Sequence, residues 1–376
     1  MRNVYITSAG KFLPNEPIGN DLIEDYLGKV HGRPSKVKKL ILDRNAIKTR
    51  HYALDREGNA THSLSEMAAA SVRDALSRAE LQPSQVELLA AATTQPDLLI
   101  PGFAAMVHGE LPELGPVEIL SSISVCCAGM AAFSHAYAQV ALGRRRAAIT
   151  VGAEFASRYF LASKMEDHAD VKAGEPLSFD IEFLRWMISD GAGAFLVQDR
   201  PRSKGISLRV DYVDLISHAH ENPVCMYSGL GPDKSQKGWM GYRSYQQAVA
   251  DGAFALRQDL QIVDRVIQYM VGDFVKIIEA GHLQREQIDW FLCHYSSHFF
   301  RGRVVQLLEE AGQPIPEEKW FTNLYTRGNT GNASIYLMLE ELLNSGRLQP
   351  GQRIACLIPE SGRFTTAYLL LTAVEA

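Results

Sequence analysis

The chain repeats itself. Ala79-Glu80-Leu81-Gln82-Pro83-Ser84-Gln85-Val86 is matched 202 residues later by Gly281-His282-Leu283-Gln284-Arg285-Glu286-Gln287-Ile288. Each copy follows a helix-like run and leads into an apolar strand-like run, Glu87 to Ala92 in one and Asp289 to Cys293 in the other. The same offset carries Cys127 to Asn329. Each of these sits in a turn before a helical run, and a basic turn and a strand then follow in both copies. A repeated strand–helix unit predicts an α/β fold in which two copies pack into one pseudo-symmetric core, with a site where they meet. At 376 residues the chain is long enough for both. The expected division is 1–200 for the N-terminal half, carrying Cys127, and 201–376 for the C-terminal half, carrying His294 and Asn329.

Local signals fill in the first copy. Met1 to Gly10 reads as a short strand into a turn, and Asn20 to Gly28 as a short amphipathic stretch. Ser63 and Glu66 form a capping-box pair that opens a helix running to about Ala79. Strands are expected at Val86 to Thr93, Val117 to Ile123 and Ala147 to Gly152, and Ser121 to Cys126, free of charged residues, also reads as strand and suits burial on both faces. Two long irregular stretches, about 160–183 and 222–251, are polar and carry Gly, Pro and Lys; the second adds Trp239, Met240 and several tyrosines. Loops this long in a compact enzyme are usually functional. They are expected to form a cap that lines a channel for an apolar substrate.

Composition closes off several classes of function. A net charge of −5 argues against a general nucleic-acid binder. Five cysteines, an odd number in a long chain, do not suggest a disulfide framework and suit a reducing cytoplasm. The first residues lack the apolar length of a signal peptide, and no run of 18 apolar residues is present to span a membrane. No further Cys, His or carboxylate stands at metal-ligand spacing, so no metal is expected.

The chemistry centres on Ser124-Val125-Cys126-Cys127-Ala128-Gly129-Met130, where a strand gives way to the Ala-rich helical run Met130 to Leu142. A thiol at a helix N-terminus lies near free N–H groups and the positive end of the helix dipole, which favours a nucleophilic thiolate. The alternative is a small buried apolar pair, because free cysteine is among the most buried residue types. His294 ends the strand Trp290 to Cys293 and could pair with the cysteine or stabilise an oxyanion; it could equally be a satisfied structural histidine. Its spacing to His298 also allows a shared helix face. Asn329, in Arg327-Gly328-Asn329-Thr330-Gly331-Asn332, could donate a second N–H to the same oxyanion.

These pieces together resemble β-ketoacyl-acyl-carrier-protein synthase III and its relatives in the thiolase superfamily. They are Cys127-Ala128-Gly129, Asp190-Gly191-Ala192-Gly193-Ala194, Asp289-Trp290 to His294, and Gly328-Asn329-Thr330 to Ser334. Arg44 to His51 is similar to the family's Arg-Thr-Gly-Ile-x-x-Arg-His, and Ser361-Gly362-Arg363-Phe364-Thr365 to its Gly-Gly-Gly-Phe-Thr. The resemblance spans nearly the whole chain and implies a thiolase-like fold, layered α-β-α-β-α with a cap. It implies that Cys127 takes the acyl group from a thioester. His294 and Asn329 would promote decarboxylation of a malonyl-type extender and hold its enolate oxygen. The backbone N–H groups of Cys127 and Arg363 would form the oxyanion hole. No cofactor is implied; the substrates would be acyl-carrier-protein or coenzyme A thioesters, and the assembly a homodimer with Pro101 and its neighbours near the partner's site. Leu40 stands where the family's short members stack a coenzyme A adenine on Trp, which favours a carrier-protein donor. Arg363 replaces a Gly, Tyr295 replaces Gln, and both inserts are longer, as in a specialised relative. Rival readings are head-to-head condensation of two acyl chains, acyl transfer to oxygen or nitrogen, and a non-catalytic partner subunit. Retention of Asn329 favours condensation, and retention of Cys127 and His294 opposes the last.

Overall fold

The computed structural model describes residues 1–234 and 238–375. Nine strands form one mixed sheet. They are β1 (Tyr5–Phe12), β2 (Leu88–Thr93), β3 (Glu118–Ile123), β4 (Ala147–Glu154), β5 (Gly191–Gln198), β6 (Ile206–Ser217), β7 (Trp290–Cys293), β8 (Arg353–Glu360) and β9 (Thr365–Glu375). Their spatial order is β7-β8-β9-β6-β1-β5-β4-β2-β3. The internal repeat is visible in the pairing. β2 runs parallel to β4, which is antiparallel to β5, which is antiparallel to β1. In the second copy β7 runs parallel to β8, which is antiparallel to β9, which is antiparallel to β6. The copies join through two residue pairs between β1 and β6, Tyr5 with Arg209 and Ile6 with Leu208.

Among the described residues the second copy has no full counterpart of β3. In its place a single parallel bridge joins Phe291 to Trp320, and the Phe321 N–H donates to the Phe291 carbonyl at 2.9 Å.

Helices cover both faces. α1 (Leu64–Ser77) lies on β1, β5 and β4, and the expected Ser63–Glu66 capping box starts it. α2 (Ala128–Ala141) packs on β2, β3 and β4, and α5 (Ser334–Asn344) on β1 and β5. α3 (Asp264–Glu279) covers β8 and β9, and α4 (His298–Glu310) packs beside it. Met130 and Phe133 of α2, Ile335 and Leu339 of α5, and Cys356, Ile358 and Leu369 from the second copy's strands share one buried cluster. The two central helices therefore lie between the two parts of the sheet, the layered arrangement expected from the sequence. They meet closely: Tyr336 Oη donates to the Gly129 carbonyl at 2.8 Å, and a Cβ on Gly129 would lie 2.7 Å from the Tyr336 ring. Only glycine fits there. β2 and β4 are buried along their whole length, as suits parallel strands covered on both faces.

Three expectations need correction. The strand read as running to Cys126 and buried on both faces ends at Ile123 and lies at the sheet edge. Its exposure alternates, leaving Ile119 44% and Ile123 58% exposed. His294 lies beyond the end of β7, while His298 opens α4, so they share no helix face. The 202-residue offset holds at Leu89 and Phe291 but widens to 206 at the helix starts, so the N-cap Cys127 corresponds to the N-cap Ala333, not to Asn329. Extra residues in the second copy's turn carry Asn329.

Candidate active site

The site forms where strand ends from both copies meet the start of α2. Cys127 is its N-cap residue, as read from the sequence, and is only 2% exposed. His294 follows β7, held by its N–H to the Leu357 carbonyl at 2.9 Å. Asn329 is fixed by backbone bonds on both sides: its N–H donates to the Met187 carbonyl at 3.0 Å, and its carbonyl accepts the Ser189 N–H at 2.8 Å. Gly328, with φ of 72°, makes this turn possible, and a Cβ there would strike Ser189 at 2.7 Å. The Asn329 Oδ1 accepts the Gly331 N–H at 3.0 Å. That bond turns the acceptor end of the amide back onto its own loop and leaves the Nδ2 donors on the opposite side.

His294, Asn329 and Cys126 line one narrow cavity of about 30 Å³ with Met226, Val263, Ile267 and Phe300. Burial pushes His294 down to about 4, so it is neutral near pH 7. Its Nε2 is buried without a hydrogen-bond partner among the described residues.

The cysteine pair departs from expectation. Cys126, and not Cys127, lines this cavity. The Cys127 thiol donates to the Ile358 carbonyl at 3.2 Å and lies 3.7 Å from that of Thr365. The Cys127 N–H, expected in an oxyanion hole, donates to Glu360 Oε2 at 2.9 Å. Ser124 Oγ donates to the other carboxylate oxygen at 2.7 Å. A carboxylate thus occupies the N-terminus of α2. Burial first, then the Glu360 charge, then Cys126, push the Cys127 thiol up, not down as the helix-start argument predicts. The helix dipole is already answered by an anion.

Sequence reasoning missed Glu360. Its signal was a lone carboxylate closing the apolar run Ile354 to Pro359. Glu154, the last residue of β4, is its counterpart in the repeat. It accepts Thr94 Oγ1 at 2.5 Å and the Asn332 N–H at 3.3 Å, just ahead of α5. Each copy therefore sends a strand-end glutamate to the helix start of the other. Burial raises Glu154 to about 7.

The other motifs brace the site. Asp190 Oδ2 accepts the Ala53 N–H at 2.8 Å and Oδ1 the Ser157 N–H at 2.9 Å. The Ser189 hydroxyl accepts the His51 N–H at 2.9 Å. Arg50 is buried, with Nη2 on Asn20 Oδ1 at 2.6 Å. The second long insert lies over the site: the Cys225 and Met226 N–H groups donate to the Gly362 and Ser361 carbonyls, both at 2.8 Å. The Arg363 side chain is a strut to this insert, with Nε on the Asn222 carbonyl at 2.7 Å. The first insert meets it through Arg257, which lies just past the second insert and pairs with its Tyr227; Arg257 Nη1 reaches Ser178 Oγ at 3.0 Å and Asp180 Oδ2 at 3.1 Å. Among the described residues of this insert Met226 lines the cavity, and its aromatic residues do not. Trp239 packs on Tyr245 and Phe254, and Met240 is exposed. Residues 235–237 of this insert lie outside the described residues.

By fold the chain is a thiolase-type α/β protein. Residues 278–369, which hold His294, Asn329, Glu360 and Arg363, match the family model of 3-oxoacyl-(acyl-carrier-protein) synthase III, C terminal, as the sequence resemblance implies. A tetronic acid condensing enzyme superposes with a TM-score of 0.74 at 21% identity, covering 98% of this chain and 99% of that one. The synthase III of Aquifex aeolicus superposes with a TM-score of 0.71 at 21% identity, covering 98% of this chain and 99% of that one. A variant of Xanthomonas campestris OleA gives a TM-score of 0.75 at 20% identity, covering 99% of this chain and 98% of that one.

Proposed function

We propose that the chain is a ketosynthase that loads an acyl group on Cys127 and condenses it with a malonyl-type carrier-protein thioester. The observation that carries this reading is that Cys126, next to Cys127 at the start of α2, shares one cavity with a neutral His294, whose Nε2 has no partner among the described residues, and with an Asn329 whose acceptor end is tied down. In loading, a bond forms between the Cys127 sulfur and the thioester carbon. The donor's C–S bond breaks, and the thiol proton ends on the leaving sulfur. Condensation then needs two donors on the extender's thioester oxygen while carbon dioxide leaves. His294 Nε2–H and Asn329 Nδ2–H are those donors. Splitting the reaction through an acyl-cysteine gives two easier steps. The cavity is too small for an acyl chain as it stands, so Met226, Val263 and Ile267 must yield on loading. The reading includes an acyl-carrier-protein partner, no cofactor, a homodimer and a cytoplasmic location.

A second reading is head-to-head condensation of two acyl thioesters. Two observations favour it. The buried Glu360 supplies a carboxylate where α-proton removal, not decarboxylation, would make the nucleophile. The second is the likeness to OleA, which one structure describes with bound lauric acid and lauroyl-CoA.

The test uses acyl-carrier-protein thioesters with a labelled malonyl extender. Intact-protein mass, product and carbon dioxide are measured on the native chain, His294→Ala and Asn329→Ala. The variants should keep acyl loading and lose condensation by roughly 10² or more, the scale of one oxyanion donor. Loading lost as severely as condensation refutes this division of roles. Product without carbon dioxide moves the assignment to the head-to-head reading.

A further inference from the structure

Glu360 stands where loading must happen. Its carboxylate takes the Cys127 N–H at 2.9 Å and the Ser124 hydroxyl at 2.7 Å. The Gly362 backbone sits against it, with space for a Cβ closed to 3.2 Å by Glu360 Oε1. The thiol meanwhile is turned to the Ile358 and Thr365 carbonyls. An acyl carbonyl bound to the Cys127 sulfur needs that same N–H for its developing negative charge. Both oxygens cannot hold it at once, and a carboxylate beside an oxyanion adds repulsion. The repeat provides an internal comparison: Glu154 makes the corresponding contact with the Asn332 N–H and also takes the Thr94 hydroxyl, and of the paired thiols it is Cys126, not Cys127, that feels its charge.

We propose that Glu360 is a latch on acyl loading, a positioning residue that must release the Cys127 N–H before a thioester can be attacked there. This rests on the reading of Cys127 as the acylated residue. The latch is closed while the carboxylate is ionised and opens when it takes up one proton. Its surroundings favour such uptake, because burial raises it while the Ser124, Cys127 and Val125 donors hold it down. The titratable groups that face it are few. Cys126 and Cys127 come from the start of α2, and both feel its charge. Beyond β7, His294 shares the cavity with Pro359 and Ser361 on either side of Glu360. The Arg363 guanidinium on the same turn bonds away from it, to Asn222.

The two ionisations then oppose each other. Thiolate formation at Cys127 raises the loading rate with pH, while ionisation of Glu360 closes the latch. In the native chain the logarithm of the loading rate should be level with pH from neutral to mildly alkaline conditions. Glu360→Gln removes the titration and the charge, so its loading rate should rise by about tenfold per pH unit over the same range. Alkylation of Cys127 by iodoacetamide, located by peptide mapping, reports on the thiol without any acyl donor. It should be about tenfold faster in Glu360→Gln at pH 8. Ser124→Ala keeps the charge but removes one donor to the carboxylate, so it should speed loading severalfold at pH 8. This second variant decides the matter if Glu360→Gln does not fold. Identical pH slopes and alkylation rates in native and variant chains, with loading intact, overturn the latch and leave the ketosynthase reading standing. Faster alkylation with no acyl transfer from any carrier-protein or coenzyme A thioester overturns both.

Discussion

His294 offers a sharp test of how the site is built. It is 4% exposed, and burial lowers it from 6.5 to about 4. In the unfolded chain the ring takes a proton near pH 6.5; in the folded chain it resists until about pH 4. Between these values the unfolded state holds one more proton, so this group's contribution to stability is complete above pH 6.5 and is lost as pH falls toward 4. The full loss is about 3 kcal/mol. Glu154, raised to about 7, and Asp190, raised to about 6, act in the opposite direction, taking up protons in the folded state first. The total pH dependence of the native chain therefore mixes both signs. The difference between the native chain and His294→Gln isolates the ring. Urea unfolding at half-unit steps from pH 7 to pH 4.5 should show the variant gaining on the native chain by about 1.4 kcal/mol per pH unit below 6.5. A difference that stays constant across this range would refute the claim that His294 is held neutral by burial. It would also remove the ground for treating its Nε2–H as a neutral donor to an oxyanion.

Cys127→Ala should abolish acyl loading and Cys126→Ala should retain it; peptide mapping that places the acyl group on Cys126 would reverse the assignment. Light scattering should give a dimer at micromolar concentration, and Ile123→Glu on the exposed face of β3 should lower the mass toward a monomer without unfolding the chain. Gly129→Ala would drive a Cβ to 2.7 Å from the Tyr336 ring and 3.0 Å from the Asn332 carbonyl, and should cost about 1–3 kcal/mol in urea unfolding.

What could be read from the sequence was whatever is encoded locally. The Ser63–Glu66 box marks α1 because both partners sit within one turn. The repeat pointed to two like strand–helix units because each copy carries its own apolar pattern. Asn329 and His294 were found through motifs and do share a cavity. The failures involve contacts between the copies. Nothing near Cys127 in the sequence reveals that a carboxylate 233 residues away binds its N–H and raises its thiol. The 202-residue offset suggested a partner for Cys127, but a repeat drifts at loops, and the helix starts differ by 206. Ser121 to Cys126 was read as doubly buried strand because it lacks charge; an uncharged stretch is also compatible with a sheet edge, where its first half lies.

The unequal ends of the sheet bear on how copies of the chain can associate. At one end the outer strand β7 is occupied by Trp320 and Phe321, and arginine side chains lie over this aromatic patch: Arg301 is 4.9 Å from the Trp320 ring, and Arg347 is 4.6 Å from that of Trp290. At the other end β3 has no strand on its outer side among the described residues, and Ile119 and Ile123 are exposed. A sheet open at both ends can add copies without limit, which is the geometry of a fibre. Sealing one end leaves a single place of attachment, and two such ends meeting across a two-fold axis leave none. With β7 covered and β3 open, edge-to-edge pairing through this sheet can join no more than two copies.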